Sequence, residues 1–564
     1  MKTILVAVIL TVLGNAIGAA ETQTRTEVFR SGKPLLPVVV HESAGETTLT
    51  AANELAIYLG RMTRTKVEVR RGAVNRGIFV GTLTEFPLPK FKQALSIKDN
   101  HDGVESFAIS PNGNSVYLIG ATELGASHAV FRFLERLGCR WYFPAAEWEV
   151  VPRHDRIVVD FEETDRPRIP ARRIWWGYGF FDRQEGRCQA DYEAWARHNR
   201  MAESFRTYTG HAWQSIIGDN QATFDSHPEC LALVDGKRRG PQMCISNPAV
   251  RKIATEWALK RLRTRPDLDM VSMETSDGSF HCECEDCQQL GSISERAFGL
   301  ANEVAKVVAR EFPGKMVGML AYNDHCEPPS FALEPNVYVQ STAGFVRGRY
   351  TFDELLELWP KKTRNIGLYE YFSVWLWDKD QLPGGRANHI AEVARRIRNY
   401  ADAGATSITC ESGNNWGLHG RGYYIANRLM WNPDENVDDL LADFYEKAFG
   451  PAAKPVRRFY ERFDVGSKPL MSEHLLGLAF RDLQEASELV GGRIDVPGRL
   501  DHLKQYLHYV RVRWDLDHLP RDQVEERKAL ALDGLTWCYR TRHSYMNHWA
   551  GMWQSWTRQA ATEF

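Results

Sequence analysis

Four carboxylates stand where apolar runs break off. Met270-Val-Ser-Met leads into Glu274 and the turn Asp277-Gly278, Gly367-Leu-Tyr into Glu370, and Ser407-Ile-Thr-Cys into Glu411. An acid so placed protonates a leaving oxygen when burial raises its pKa, and a second carboxylate across the cleft completes the usual pair of glycoside chemistry. Asp277 sits at the turn itself and is the first choice for the general acid. Glu274 is the other candidate; both also read as loop acids or helix caps. Glu370 lies in an aromatic run and is the expected second carboxylate, because an acid in such surroundings is costly without partners or a task. On that reading Glu370→Gln lowers turnover and leaves the fold intact.

Around these acids lie groups suited to sugar hydroxyls and ring faces. Glu411, His211, Tyr208, Tyr322, Asn323, Tyr371, Trp375 and Trp416 are the expected substrate-binding residues. The aromatic ones also read as core, and His211 as a structural histidine. A separate cluster is Cys282-Glu-Cys284-Glu-Asp-Cys287, with Cys244 upstream. Two chemistries fit it: a structural zinc held by four thiolates, which leave no open position for catalysis, or two disulfides. Either braces the loop that carries Asp277. No cofactor is expected in the catalytic step.

The elements that must position these groups alternate. Eight strand candidates run Arg173 to Gly177, Phe205 to Thr209, Gln242 to Ile245, Met270 to Met273, Val317 to Ala321, Val337 to Gln340, Gly367 to Glu370 and Ser407 to Cys410. Amphipathic helices lie between them, with Ala297, Leu300, Ala301, Val304 and Val308 on one face and Ile390, Val393, Ala394, Ile397 and Ala401 on another. The expected fold is α/β, a (β/α)8 TIM barrel over residues 170–432, whose strand ends form the active face. Before it, residues 27–160 read as a small α+β domain, with strands from Val38, Val67, Ile78, Phe107 and Val116 and helices over Thr48 to Met62 and Gly125 to Leu137. Gly81 and Gly120 read there as turn glycines, and Asp160 to Pro170 as a linker. Residues 433–564 read as a helical C-terminal region ending in an aromatic stripe, Tyr545, Trp549, Trp553 and Trp556, expected to pack.

The chain has 564 residues, 70 basic and 72 acidic, a net charge of -2. That length implies several cores, and that balance gives no electrostatic basis for nucleic acid or an anionic membrane. Residues 1–20 read as a signal peptide: Lys2, the apolar run Ile4 to Leu13, and Gly18-Ala19-Ala20 for cleavage. No later apolar run is long enough to span a bilayer. The expectation is a periplasmic or secreted protein with a glycan or polysaccharide partner, no nucleic acid and no stable membrane insertion. No feature of the sequence speaks to oligomeric state.

Two sets of residues carry a resemblance. Gly120-Ala-Thr-Glu-Leu-Gly-Ala and Phe133-Leu-Glu-Arg-Leu-Gly-Cys-Arg-Trp-Tyr-Phe-Pro144 resemble the end of the N-terminal domain of bacterial α-glucuronidases and β-hexosaminidases. Cys244-Ile-Ser-Asn-Pro248, Ser276-Asp277-Gly278 with the cysteine motif, and Leu429-Met-Trp431-Asn-Pro433 resemble the DUF4838 family, which includes the endo-β-N-acetylglucosaminidases of glycoside hydrolase family 163. The match runs from about Pro37 to Gly450. It implies a barrel behind a hexosaminidase-like domain, and retention through attack by the substrate's own acetamide. Asp277 and the four cysteines are the positions it carries over. Thr275-Ser276 stand where the family is rich in Asn. Two rivals accompany this reading: an α-glucuronidase-like exo-hydrolase, with Arg347 and Arg349 to meet a uronate, and a glycan-binding protein without catalysis.

Overall fold

The computed structural model describes residues 25–99, 101–177, 186–374, 385–464 and 471–553. The expected leader, Trp375 and Trp556 lie outside them. Among the described residues no helix is long and apolar enough to cross a membrane.

The first part is built on a six-stranded mixed sheet. Its order is Glu163–Asp165, Phe107–Asn112, Ser115–Gly120, Ile78–Thr82, Val38–Val40, Val69–Arg71. Val38, Val39 and Val40, in the strand next to one edge, are completely buried. Helices Glu46–Thr63 and Glu123–Arg136 pack on it, the second capped by Thr122, whose hydroxyl accepts from Gly125 N. Gly120 is more than a turn glycine: a Cβ there would meet the amide nitrogen of Ala126 at 2.0 Å. The expected linker also has structure, since Glu163–Asp165 pairs antiparallel with Phe107–Ile109 as an edge strand.

The middle part holds a second six-stranded sheet, entirely parallel. Its strands are β1 (Ala171–Ile174), β2 (Met270–Ser272), β3 (Met316–Asn323), β4 (Val337–Val346), β5 (Ile366–Tyr371) and β6 (Ser407–Glu411), in the order β1-β6-β5-β4-β3-β2. Helices α1 (Pro248–Thr264), α2 (Ile293–Glu311), α3 (Phe352–Leu358) and α4 (Ile390–Asp402) connect them, and α5 (Trp416–Trp431) follows β6. The expected apolar faces of α2 and α4 are buried, and Ser292 with Glu295 forms a capping box at the start of α2.

Six of the eight expected barrel strands therefore form, and two do not join the ladder. Phe205 to Thr209 spans the gap between β1 and β2 with irregular backbone. It is tied to β1 just upstream (Arg172 N to Ala202 O, 2.8 Å) and to β2 by side chains (Arg206 N to Asp269 Oδ2, 2.8 Å; Ser272 Oγ to Gly210 O, 2.6 Å). Gln242 to Ile245 is displaced for another reason. Gln242 and Met243 end an antiparallel hairpin, Leu231–Val234 with Lys237–Met243. Its two-residue turn is Asp235-Gly236, both at positive φ, the combination that matches strand twist in a hairpin. The sheet is thus a parallel half-barrel rather than a closed eight-stranded one.

The third part is helical, as expected: Val437–Phe449, Ala453–Glu461, Glu473–Glu488, Val496–His518 and Val524–Arg540. Trp549 packs against the core, while Trp553 is exposed.

Candidate active site

Side chains alternate across a strand, so one inward residue sets the inward face of each. Met270, Met316 and Tyr338 pack with Ala171 and Phe205 at the floor of the half-barrel. Steps of two from there bring Trp175 (just past β1), Glu274 (just past β2), Tyr322, Tyr369, Tyr371 and Glu411 towards the C-terminal edge.

At that edge the rings form an unbroken arc. Centroid separations are 6.1 Å from Trp175 to Tyr369, 5.6 Å to Tyr371, 5.8 Å to Phe345, 5.5 Å to Tyr322 and 5.8 Å to His211. An acid is held near each end. Tyr369 donates to Glu411 Oε1 at 2.7 Å, and Tyr322 donates to Asp277 Oδ1 at 3.0 Å. The Asp277 side chain is 66% exposed, whereas Glu411 is half-buried. The Thr275 carbonyl accepts from His211 Nδ1 at 2.8 Å, which turns Nε2 towards Asp277 at 3.6 Å. Burial, and then the Asp277 carboxylate, push the Tyr322 phenol well above its ordinary value. It therefore remains a hydrogen-bond donor.

Three of the nine non-glycine residues at positive φ among the described residues lie in the surrounding segments. Phe280, Asn323 and Phe345 adopt φ of +69°, +52° and +57°. Such conformations cost roughly 1–3 kcal/mol each and collect at functional sites. Phe345 is 43% exposed, its ring held open to solvent between Tyr322 and Tyr371.

Several expected site residues fall elsewhere. Glu370 is on the outward face of β5 and 1% exposed. Its Oε1 accepts from Tyr371 N (2.8 Å) and Arg386 Nη1 (2.9 Å), its Oε2 from Arg396 Nε (2.8 Å) and Tyr400 Oη (2.5 Å). It is thus wrapped by donors behind the sheet, on the face away from the aromatic arc. Glu274 faces inward but is completely buried. Its Oε2 accepts from Leu320 N at 2.9 Å, supplying a ladder partner where β2 has ended, and its Oε1 lies 2.7 Å from His325 Nε2. Tyr208 points out to Arg261 on α1 (3.1 Å). Trp416 is core, packed on Trp195 at 4.7 Å. Asn323 is buried, and its Oδ1 has no partner among the described residues. Arg349 is committed to Glu327.

Other residues of the site went unnoticed in the sequence. Trp175, Tyr369 and Phe345 complete the arc; strict alternation from Gly367 identifies Tyr369. Gln242 braces the Asp277 loop, its Nε2 donating to Ser276 O (2.8 Å) and its Oε1 accepting from Ser276 N (3.2 Å). The four cysteines of the motif do meet: their sulfurs lie within 4.8 Å of one another, with no disulfide between them. A separate hollow of about 370 Å³, lined by residues including Trp141, Glu147, Trp195 and His502, lies where the first and third parts meet helix Gly186–His198. None of the arc residues line it.

Among solved structures, a family GH115 4-O-methyl-α-glucuronidase with specificity for decorated arabinogalactans aligns with a TM-score of 0.59 at 14% identity, covering 94% of this chain and 78% of its own. A GH138 enzyme targeting pectin rhamnogalacturonan II aligns at 0.49 and 12% identity, covering 91% and 75%. The first likeness establishes a shared fold. No curated protein matches the chain in sequence. The DUF4838 family, described as a domain of unknown function, matches residues 143–462, more than half of the chain. The chain belongs to the DUF4838 family.

Proposed function

We propose that this protein is an exported glycoside hydrolase acting on a complex glycan, with its active site on the aromatic arc between Asp277 and Glu411. One observation carries the reading: two carboxylates, each oriented by a tyrosine, face a continuous wall of rings at the C-terminal edge of a parallel sheet, where such folds place their chemistry. The GH115 neighbour supports it at the level of fold. Asp277, at the open lip, protonates the leaving oxygen. Glu411, deeper beside Trp175 and Tyr369, holds hydroxyls of the sugar being cleaved and stabilises charge growing on its ring. His211 and Gln242 position Asp277.

The finer reading is β-N-acetylglucosaminidase-like, with retention through the substrate's acetamide. It rests on the family resemblance and on a site with one mainly exposed acid, which leaves the nucleophile's part to the substrate. A uronate-specific reading has its own support: Arg347 lies at the lip, donating to Ser279 Oγ at 3.0 Å, and Arg173 lies over Trp175 at 5.8 Å. Aryl N-acetyl-β-glucosaminides and aryl α-glucuronides separate the two.

Asp277→Asn is the decisive variant. Turnover of an unactivated glycan is expected to fall at least about a hundredfold. An aryl glycoside with a very acidic leaving group needs no proton and should lose far less. Equal losses on both would remove Asp277 as the acid, and tight binding without products across the panel would make the protein a glycan-binding one.

A further inference from the structure

We infer that Cys244, Cys282, Cys284 and Cys287 bind one structural zinc ion that clamps the Asp277 loop to the neighbouring hairpin. Three parts of the chain supply the sulfurs. Cys244 directly follows the hairpin, Cys282 and Cys284 lie in the loop after β2, and Cys287 is in the short helix Glu285–Gln289. The sulfurs are 3.4 Å (Cys282–Cys284), 3.7 Å (Cys244–Cys284) and 3.8 Å (Cys244–Cys287) apart. A tetrahedron of thiolates around zinc at a bond length of about 2.3 Å has edges of about 3.8 Å. Disulfides would instead draw them into two bonded pairs.

The surroundings suit thiolates. Leu233 N points at Cys282 Sγ at 3.3 Å and Arg238 Nη1 lies 3.7 Å from it, while Ser246 Oγ is 3.2 Å from Cys287 Sγ. Such outer donors offset the charge of a four-thiolate site and orient its ligands. Four soft ligands leave no position for water, so the ion holds structure and takes no part in hydrolysis.

The clamp has a clear mechanical consequence. Glu283 N bonds to Leu233 O at 2.8 Å, and Gln242 grips Ser276 through both of its amide atoms. Hairpin and loop are thus joined on both sides of Asp277. The metal would fix the far side, five residues beyond the acid. This inference stands apart from the glycosidase reading: the metal can be present whatever the substrate.

The test uses the full chain purified without added metal. Metal analysis should find about one zinc per chain, and X-ray absorption at the zinc edge should give four sulfurs at about 2.3 Å. Cys284→Ser, at the half-exposed ligand, should lose zinc to a chelator that leaves the wild type loaded, and should melt at lower temperature. Cys410→Ser, a buried thiol outside the cluster, should keep its zinc. Zinc-free protein with two disulfides by intact mass would overturn the inference, as would iron in place of zinc or a shell of nitrogen and oxygen. Should Cys284→Ser fail to fold, the absorption spectrum of the wild type decides alone.

Discussion

At the scale of single residues, the site turns on which face of a strand an acid occupies. Glu370 and Tyr371 are neighbours in sequence, yet one is wrapped in guanidinium groups behind the sheet and the other lines the mouth. The Glu370 carboxylate is paid for by Arg396, Arg386 and Tyr400, and the Arg396 side chain is only 14% exposed. Glu370→Ala leaves that guanidinium only the half-exposed Glu392, at 3.6 Å, as an ion partner, a loss of roughly 3 kcal/mol. Denaturant unfolding should show it, with turnover per folded molecule near wild type. An unchanged midpoint with lost turnover would return Glu370 to the mechanism. The face was legible in advance. Gly367-Leu-Tyr-Glu-Tyr has period two, and Leu368 goes with Glu370 into the helix-facing core. Position at a strand end is common to both kinds of acid; only the alternation tells which face each one takes.

At the scale of elements, long apolar runs were legible because burial on both faces demands them, as in β3, β4 and β5. Phe205 to Thr209 misled because its alternation is strand-like while its hydrogen bonds go to side chains. The hairpin was missed although Asp235-Gly236 between alternating residues is a strong signal for one. What no local pattern reveals is the long-range seat of the C-terminal segment. Trp416 N donates to Tyr545 O at 2.8 Å, and Asn414 N donates to His548 Nδ1 at 2.9 Å, just beyond Glu411. Burial holds the His548 imidazole down at about 4, against an ordinary 6.5. Its folded pKa is lowered, so the unfolded chain binds the extra proton first. The contribution is complete above pH 6.5 and is lost as pH falls through 6.5 towards 4. At most it amounts to about 3 kcal/mol. His548→Asn keeps an acceptor for Asn414 N and removes the titration. Its stability should fall less steeply than that of the wild type across this window, with His281, held near 4 by burial, supplying part of the remainder. Equal slopes in denaturant unfolding at several pH values would exclude His548 as a source of the acid sensitivity.

At the scale of the whole molecule, one core joins the three parts, while a second buried cluster, from Trp213 and Met243 through Val271, Val304 and Val339, fills the far half of the middle part. A single buried cluster runs from Val28 and Val38 in the first sheet, through Leu368, Ile397 and Ile425, to Leu503 and Met552 near the end of the described chain. Polar junctions cross the same boundaries. Burial disfavours the charge on Glu105, yet Arg172 of β1 and His128 hold its carboxyl down at about 2. Arg140 pairs with Asp443 at 2.7 Å, and Arg499 donates to the carbonyls of Glu147 and Glu149 at 2.6 and 2.8 Å. None of these partners is near the other in sequence, so neither composition nor periodicity marks the junctions. A core that crosses all three parts predicts cooperative unfolding. Calorimetry of the full chain should give a single unfolding transition. Arg499→Ala, which removes a buried cation from the junction of the first and third parts, should lower that transition as a whole. Residues 170–432 expressed alone would expose α5, which is buried along nearly its whole length, and should fail to give a cooperative transition. Two resolved transitions in the full chain, with only one shifted by Arg499→Ala, would mean that the middle part folds independently and that its partners merely rest on it.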